Sequence, residues 1–253
     1  MNILLTNDDG IFAPGLWALN RQFSATHNVM VVAPDRERSA IGHAITLHEP
    51  LRQTYMTVNG FGEGYAVNGT PADCVKLAIT ELLDFKPDVV ISGINPGANT
   101  GVNLNYSGTV SAAREAALGG IHAIAVSMPG YHVKHFGVAA RFAEKLALQI
   151  QDNGMPFGTF LNVNVPDLPE ADIAGIDVTR QAATRGHEYF ETRVDPRNRK
   201  YYWQGLDHLP ETESDDTDLA AISNNRISIT PIKCDMTDYT LKDTLKTWDL
   251  TGK

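Results

Sequence analysis

The sequence predicts an α/β protein built on a Rossmann-like, doubly wound, mostly parallel sheet, with a C-terminal β-hairpin extension and a terminal helix. Two observations predict the core. Through the first half of the chain, short and almost continuously apolar runs alternate with helical patterns, the signature of βαβ units whose strands are covered on both faces. With 253 residues, 43% of them hydrophobic, the chain also has enough apolar side chains to fill a sizeable core.

Residues 3–6 read as a buried strand, 16–23 as a helix, and the Val-rich run 28–33 as a second strand. After a long polar loop, 55–58 and 65–67 pair around a Gly-rich turn. Thr70-Pro71-Ala72-Asp73 opens a helix running to about Leu83. Thr is a good cap, Pro needs no N–H in the first turn, and an acid stands at the third position. Residues 87–92 form another buried strand, and a helix begins near Thr109 and stops at Gly119-Gly120. Strand 123–127 and helix 138–150 follow.

From about Phe160 the pattern changes. Residues 160–165 and 176–180 read as strands with no clear helix between them. The polar, aromatic stretch 185–203 reads as a long hairpin projecting from the core, 206–218 as an acidic loop, 227–232 as a late strand and 239–250 as a terminal helix. The expected division is a catalytic core over 1–180 and an extension over 181–253 that is not an independent domain.

Thirty acids against 21 bases give a formal charge of −9. That argues against general duplex nucleic-acid binding, which depends on many Lys and Arg contacts to phosphates. A small phosphorylated substrate remains open, because it needs only one local pocket. Cys74 and Cys234 form no CxxC or zinc spacing, so two buried thiols are the expectation over a disulfide. The first residues lack the basic start of a secretory signal, and no apolar run approaches the ~20 residues of a membrane span. The expected location is cytoplasmic.

Ligands of doubly wound sheets bind beyond the carboxyl ends of the strands, and three polar segments stand there. Asn7-Asp8-Asp9-Gly10 puts two carboxylates side by side, which is costly unless a cation or hydrogen bonds offset their repulsion. The alternative is an Asx-turn with one solvated acid. Asp35-Arg36-Glu37-Arg38-Ser39 offers a hydroxyl for a metal, and arginines that either orient a phosphate or pair with their acidic neighbours. Ser92-Gly93-Ile94-Asn95-Pro96-Gly97-Ala98-Asn99 offers glycines for close backbone approach and amide oxygens for a hard cation, or else an ordinary turn. A fourth segment, Tyr106-Ser107-Gly108-Thr109, precedes a helix. It is either a phosphate cradle or a plain helix cap. Carboxylate, hydroxyl and amide oxygens together favour Mg²⁺, Mn²⁺ or Ca²⁺ over zinc.

These blocks resemble, in order, those of the SurE family. Asn7-Asp8-Asp9-Gly10 with Ala13-Pro14-Gly15 is similar to its N-terminal signature, and Ala33-Pro34-Asp35-Arg36 leading to Ser39 to its second block. Gly69-Thr70-Pro71-Ala72-Asp73-Cys74-Val75, Ser92-Gly93-Ile94-Asn95 and Tyr106-Ser107-Gly108-Thr109-Val110 match the rest. Beyond about Ser127 the resemblance rests on the hairpin and Ile227-Ser228-Ile229-Thr230-Pro231.

The resemblance implies one divalent metal per subunit, Mg²⁺ or Mn²⁺, on Asp8, Asp9, Ser39 and Asn95, with Asp8 and Asp9 carrying the catalysis. It implies phosphate binding by Asn99, Ser107, Gly108 and Thr109, and hydrolysis of nucleoside 5′- and 3′-monophosphates, with short polyphosphate as a further substrate. It also implies a homodimer or homotetramer. His43 stands where some members carry Asn, as a proton carrier or as a packed loop histidine. The other histidines, His132 and His135 among them, read as surface groups.

Competing enzyme classes lack their signatures. Gly60-Phe61-Gly62-Glu63-Gly64 has neither the spacing nor the position of a dinucleotide fingerprint, and GxxxxGK[ST] and GxSxG are absent. A nucleotide or phosphate sensor that binds without turnover is the rival from another class.

Overall fold

The computed structural model describes residues 1–183, 188–206 and 214–250. Strand β1 (Asn2–Thr6) runs through the centre of the molecule, fully buried from Ile3 to Thr6. Helix α1 (Pro14–Phe23) follows, opened by Pro14 and burying Leu16, Trp17, Leu19 and Phe23 along one stripe. Strand β2 (Asn28–Pro34) pairs with β1 in parallel. Strands β3 (Gln53–Val58) and β4 (Gly62–Val67) form the antiparallel pair expected around the Gly-rich turn.

Helix α2 (Pro71–Leu77) is closed at its start by a full capping box. The Thr70 hydroxyl accepts from the Asp73 N–H, and the Asp73 carboxylate accepts from the Thr70 N–H. Such a cap contributes about 1 kcal/mol. One π-helical turn, Ala78–Leu82, continues α2 almost to the expected end. Strand β5 (Val89–Pro96), helix α3 (Gly108–Leu118), strand β6 (His122–Met128), helix α4 (Phe136–Asn153) and strand β7 (Thr159–Asn164) complete the alternation.

The second half differs. A short 3-10 turn, Glu170–Asp172, is the link between β7 and β8 (Gly175–Val178). Strands β9 (Glu188–Val194) and β10 (Lys200–Leu206) pair as the hairpin, a two-stranded sheet separate from the core sheet. Residues 185–187 of that stretch and 207–213 of the acidic loop lie outside the described residues. The end of the loop holds an element not anticipated, α5 (Asp218–Ser223), capped by Thr217. Strand β11 (Arg226–Lys233) then inserts between β7 and β8, so the segment after residue 180 returns a strand to the core sheet. Helix α6 (Tyr239–Leu245) is shorter than the expected 239–250.

The core sheet has nine strands in the order β3-β4-β2-β1-β5-β6-β7-β11-β8. From β4 to β7 every neighbouring pair is parallel, while β3 and β11 run antiparallel to their partners β4 and β7. The chain winds outward from β1 on one side and from β5 on the other, so the topological switch lies between those two carboxyl ends. Apolar clusters cover both faces, one under α1 and α4, the other under α2 and α3. Among the described residues no helix is long and apolar enough to cross a membrane. Both cysteines are free thiols, Cys74 buried and Cys234 half-buried.

The start of α1 meets the end of β5 at Gly15, where an added Cβ would stand 2.1 Å from the Ile94 carbonyl oxygen. Backbone cannot yield there as a flexible side chain would. Gly15→Ala should therefore cost roughly 1–3 kcal/mol in urea unfolding, and a wild-type midpoint would contradict this packing.

Candidate functional site

At the switch point, the loops leaving β1, β2 and β5 converge with the start of α3. The Asn7 side chain shapes the first loop, accepting from the Gly10 N–H at 3.2 Å and donating to the Gly10 carbonyl at 3.0 Å. Gly10 has φ +95°, and a Cβ on it would press to 2.9 Å of the Arg36 carbonyl carbon. The loop after β2 is laid directly on this turn. The Arg38 N–H donates to the Asp8 carbonyl at 2.7 Å, which brings Ser39 to the carboxylate pair.

Asp8 is the more enclosed of the two adjacent acids. Its side chain accepts from the Thr109 hydroxyl at 2.5 Å. Gly108 is required beside it, because a Cβ there would stand 2.7 Å from the Asp8 Cβ. Burial pushes the Asp8 carboxyl up, opposed by the Thr109 hydroxyl and by the N–H groups of Thr109 and Gly108. Asp9 lacks such help. Its buried Oδ2 has no hydrogen-bond partner, and burial, then the Asp8 and Glu37 charges, push its carboxyl up to about 7.

Asp8, Ser39, Asn95, Asn99 and Ser107 share one open cavity of about 620 Å³, within the usual range for small-molecule sites. Asn95 donates from Nδ2 to the Gly97 carbonyl at 2.8 Å, which leaves its Oδ1 available. The Ser39 hydroxyl donates to Glu37 at 2.8 Å and keeps oxygen lone pairs. Asp9 adjoins Asp8 but is not on the cavity wall. Among the described residues no group of three His, Cys, Asp or Glu side chains is clustered for a metal. The donor set here is instead two carboxylates, a hydroxyl and an amide, and these all-oxygen donors with an orphaned carboxylate oxygen fit a hard divalent cation.

The expected phosphate residues divide. Asn99 and Ser107 line the cavity, whereas Thr109 is fully buried with its hydroxyl turned onto Asp8, and Gly108 packs against the same side chain. Ser107 also caps α3, accepting from the Val110 N–H at 3.1 Å. Of the flanking arginines, Arg38 binds the Asn68 carbonyl and lies 3.8 Å from Asp35, and neither Arg36 nor Arg38 lines the cavity. His43 is held by Glu115 at 2.8 Å, with Lys76 on the other carboxylate oxygen at 2.5 Å. The His43 bond is the main cause that lowers the Glu115 carboxyl. His43 acts here as a loop clamp, and His135 is paired with Asp167 at 2.9 Å.

Several residues that the sequence did not single out build the site from behind. Asn99 is gripped by Asn164, which accepts from its N–H at 2.9 Å and donates to its carbonyl at 2.9 Å. Asn162 donates to the same carbonyl at 2.8 Å, and the Asn99 amide donates to Ser127 at 2.8 Å. Asp218, fully buried, accepts from the N–H groups of Gly101, Ala182 and Leu219. It thereby ties the cavity wall after Asn99 to α5. Polar side chains spaced two apart at the end of an apolar strand were the available signal for Asn162 and Asn164.

The family described as Survival protein SurE matches residues 3–188. A 5′-nucleotidase SurE from Desulfatibacillum aliphaticivorans is 57% identical over 249 residues, covering 98% of both chains. Another from Geotalea daltonii is 50% identical over 252 residues, covering 99% of this chain and 100% of its own. The crystal structure of a SurE protein from Aquifex aeolicus superposes with a TM-score of 0.85 at 38% identity, covering 97% of this chain and 98% of that one. The chain belongs to the SurE family.

Proposed function

We propose that this chain is a metal-dependent 5′-nucleotidase, hydrolysing nucleoside monophosphates to nucleoside and phosphate. The observation that carries the reading is the charge of the cavity. Asp8 is on its wall, and among the described residues none that line it is Lys, Arg or His. Against these described residues a phosphate dianion entering alone would meet a carboxylate and no cationic side chain, which supports a cation joining the two. The names of the full-length relatives point to the same activity.

In this reading Asp8, Asp9, Ser39 and Asn95 hold one divalent ion per subunit, Mg²⁺ or Mn²⁺. A bound ion there would polarise phosphoryl oxygens and activate water. Asn99 and Ser107 orient the phosphate, and the first N–H groups of α3, at Gly108 and Thr109, add the positive end of the helix dipole. Thr109 keeps Asp8 turned toward the ion. Action on 3′-monophosphates and short polyphosphate, and a cytoplasmic location, belong to the same proposal. So does assembly into a dimer or tetramer through the hairpin, where Phe190, Tyr202 and Trp203 are 64%, 60% and 59% exposed.

Three outcomes are expected. Phosphate release from AMP should stop in excess EDTA and return with Mn²⁺ or Mg²⁺. Asp9→Asn should lose at least the ~10–100-fold in metal affinity that removing a ligand's outer partner costs. In the metal-free protein the sign on stability reverses. Because the folded Asp9 carboxyl titrates near 7 rather than 3.8, the folded state binds the extra proton and loses stability as pH rises through that window. Melting curves should therefore favour Asp9→Asn over wild type at pH 8 and show a smaller gap at pH 4. Full activity in EDTA sinks the metal reading.

Monoesters should be cleaved and phosphodiesters spared, since a second ester group would crowd the ion; efficient cleavage of bis(p-nitrophenyl) phosphate beside inert AMP would reverse this. Deleting residues 188–202 should lower the mass seen in light scattering, and an unchanged oligomer would count against the hairpin interface.

A further inference from the structure

The cavity is far larger than a phosphate group fills, and its outer part is built differently from its floor. Tyr106 and Tyr131 line it together with Asn103, Gln204 and Gly205. Tyr131 is 90% exposed, so nothing in the core explains its ring. It follows Gly130, which has φ +97°, in the loop from β6 to α4.

That loop is anchored on both sides. The Gly97 N–H donates to the carbonyl of Met128 at 2.7 Å, which ties the start of the loop to the segment carrying Asn95 and Asn99. Asp167 accepts from the N–H groups of Lys134 and His135 at 2.8–3.1 Å, which fixes the other end. The β10 wall is likewise held. Gly205 is paired with Tyr189, and a Cβ on Gly205 would stand 2.3 Å from the Tyr189 ring, so that ring covers the glycine. An exposed ring on a loop anchored at both ends, bordering a cavity whose floor carries the ionic chemistry, has the form of a stacking platform.

We propose that Tyr131 is the surface on which the nucleobase stacks, with the β10 residues Gln204 and Gly205 closing the nucleoside end of the cavity. The inference rests on the nucleotidase reading and adds the part of the substrate that lies away from the phosphate. Every base presents a π-face, so stacking binds purines and pyrimidines with modest discrimination. A site that recognises its substrate this way accepts several nucleotides and disfavours phosphate esters with no base.

The test compares AMP with ribose 5-phosphate and adds a binding measurement that needs no turnover. In Tyr131→Ala the ratio of kcat/KM for AMP to that for ribose 5-phosphate should fall roughly tenfold. Tyr131→Phe, which keeps the ring, should retain it. Adenosine binding followed by titration calorimetry should weaken by a similar factor in Tyr131→Ala alone. Equal losses for both esters, or a Tyr131→Phe that behaves like Tyr131→Ala, would overturn the stacking role. A wild-type protein that cleaves both esters with equal kcat/KM would sink the stacking site and leave the phosphatase reading standing. Tyr131-dependent adenosine binding without any phosphate release would do the opposite.

Discussion

The structure depends on placing one buried carboxylate, that of Asp8, against the first turn of α3. Burial pushes the Asp8 carboxyl up, toward its neutral form. The Thr109 hydroxyl and the N–H groups of Gly108 and Thr109 pull the other way, and the positive end of the helix dipole adds to them. The contact has a steric condition as well, because the helix can approach this closely only with glycine at 108. Through it, β1 and α3 are registered on each other at the topological switch. Asp9, the next residue, is left half-exposed with a carboxylate oxygen that the protein does not satisfy. One acid is solvated by the fold, and the other is reserved.

The same division holds on the other side of the cavity. Asn99 projects from an irregular segment that no helix or strand supports, yet its main chain is bound by Asn162 and Asn164 and its side chain by Ser127. Buried amide networks of this kind act as a unit and hold one geometry, since each broken bond leaves a polar group without water. Asp218 does the same for Gly101. The wall is rigid because its irregular backbone is hydrogen-bonded to strands and helices, in the way that binding loops on a fixed scaffold usually are.

The parts legible in the sequence were those governed by local rules. The apolar runs at 3–6 and 87–92, the cap at Thr70 and the glycines at 119 and 120 each announce an element within a few residues, and the structure has those elements. Helix α5 was hidden because Asp215, Asp216 and Asp218 read together as a solvated acidic run. Only the fold reveals that Asp218 points inward to three N–H groups. Strand β11 was visible as a strand but not as an insertion between β7 and β8, since long-range pairing leaves no local mark. At the site, Asp8, Ser39 and Asn95 converge as the strand-end argument expects. Thr109 was ambiguous for a physical reason: a hydroxyl at a helix start suits a cap, a phosphate or a carboxylate equally, and the choice is made by a residue 101 positions away.

The lack of basic side chains among the described residues of the cavity wall follows from the same electrostatics. A lysine or arginine within reach of Asp8 and Asp9 would pair with them, hold both ionised and compete with any divalent ion for the same oxygens. Neutral donors avoid that competition. Ser107 and Asn99 can hydrogen-bond to a phosphate without neutralising the acids that, in the proposed reading, hold a cation. In the proposed reading, a chain with a formal charge of −9 accepts an anionic substrate because the positive charge arrives with the ion. On the same reading, selectivity for a terminal phosphate would follow, with Asp8, Ser39 and Asn95 holding the ion beside it and the nucleoside toward Tyr131.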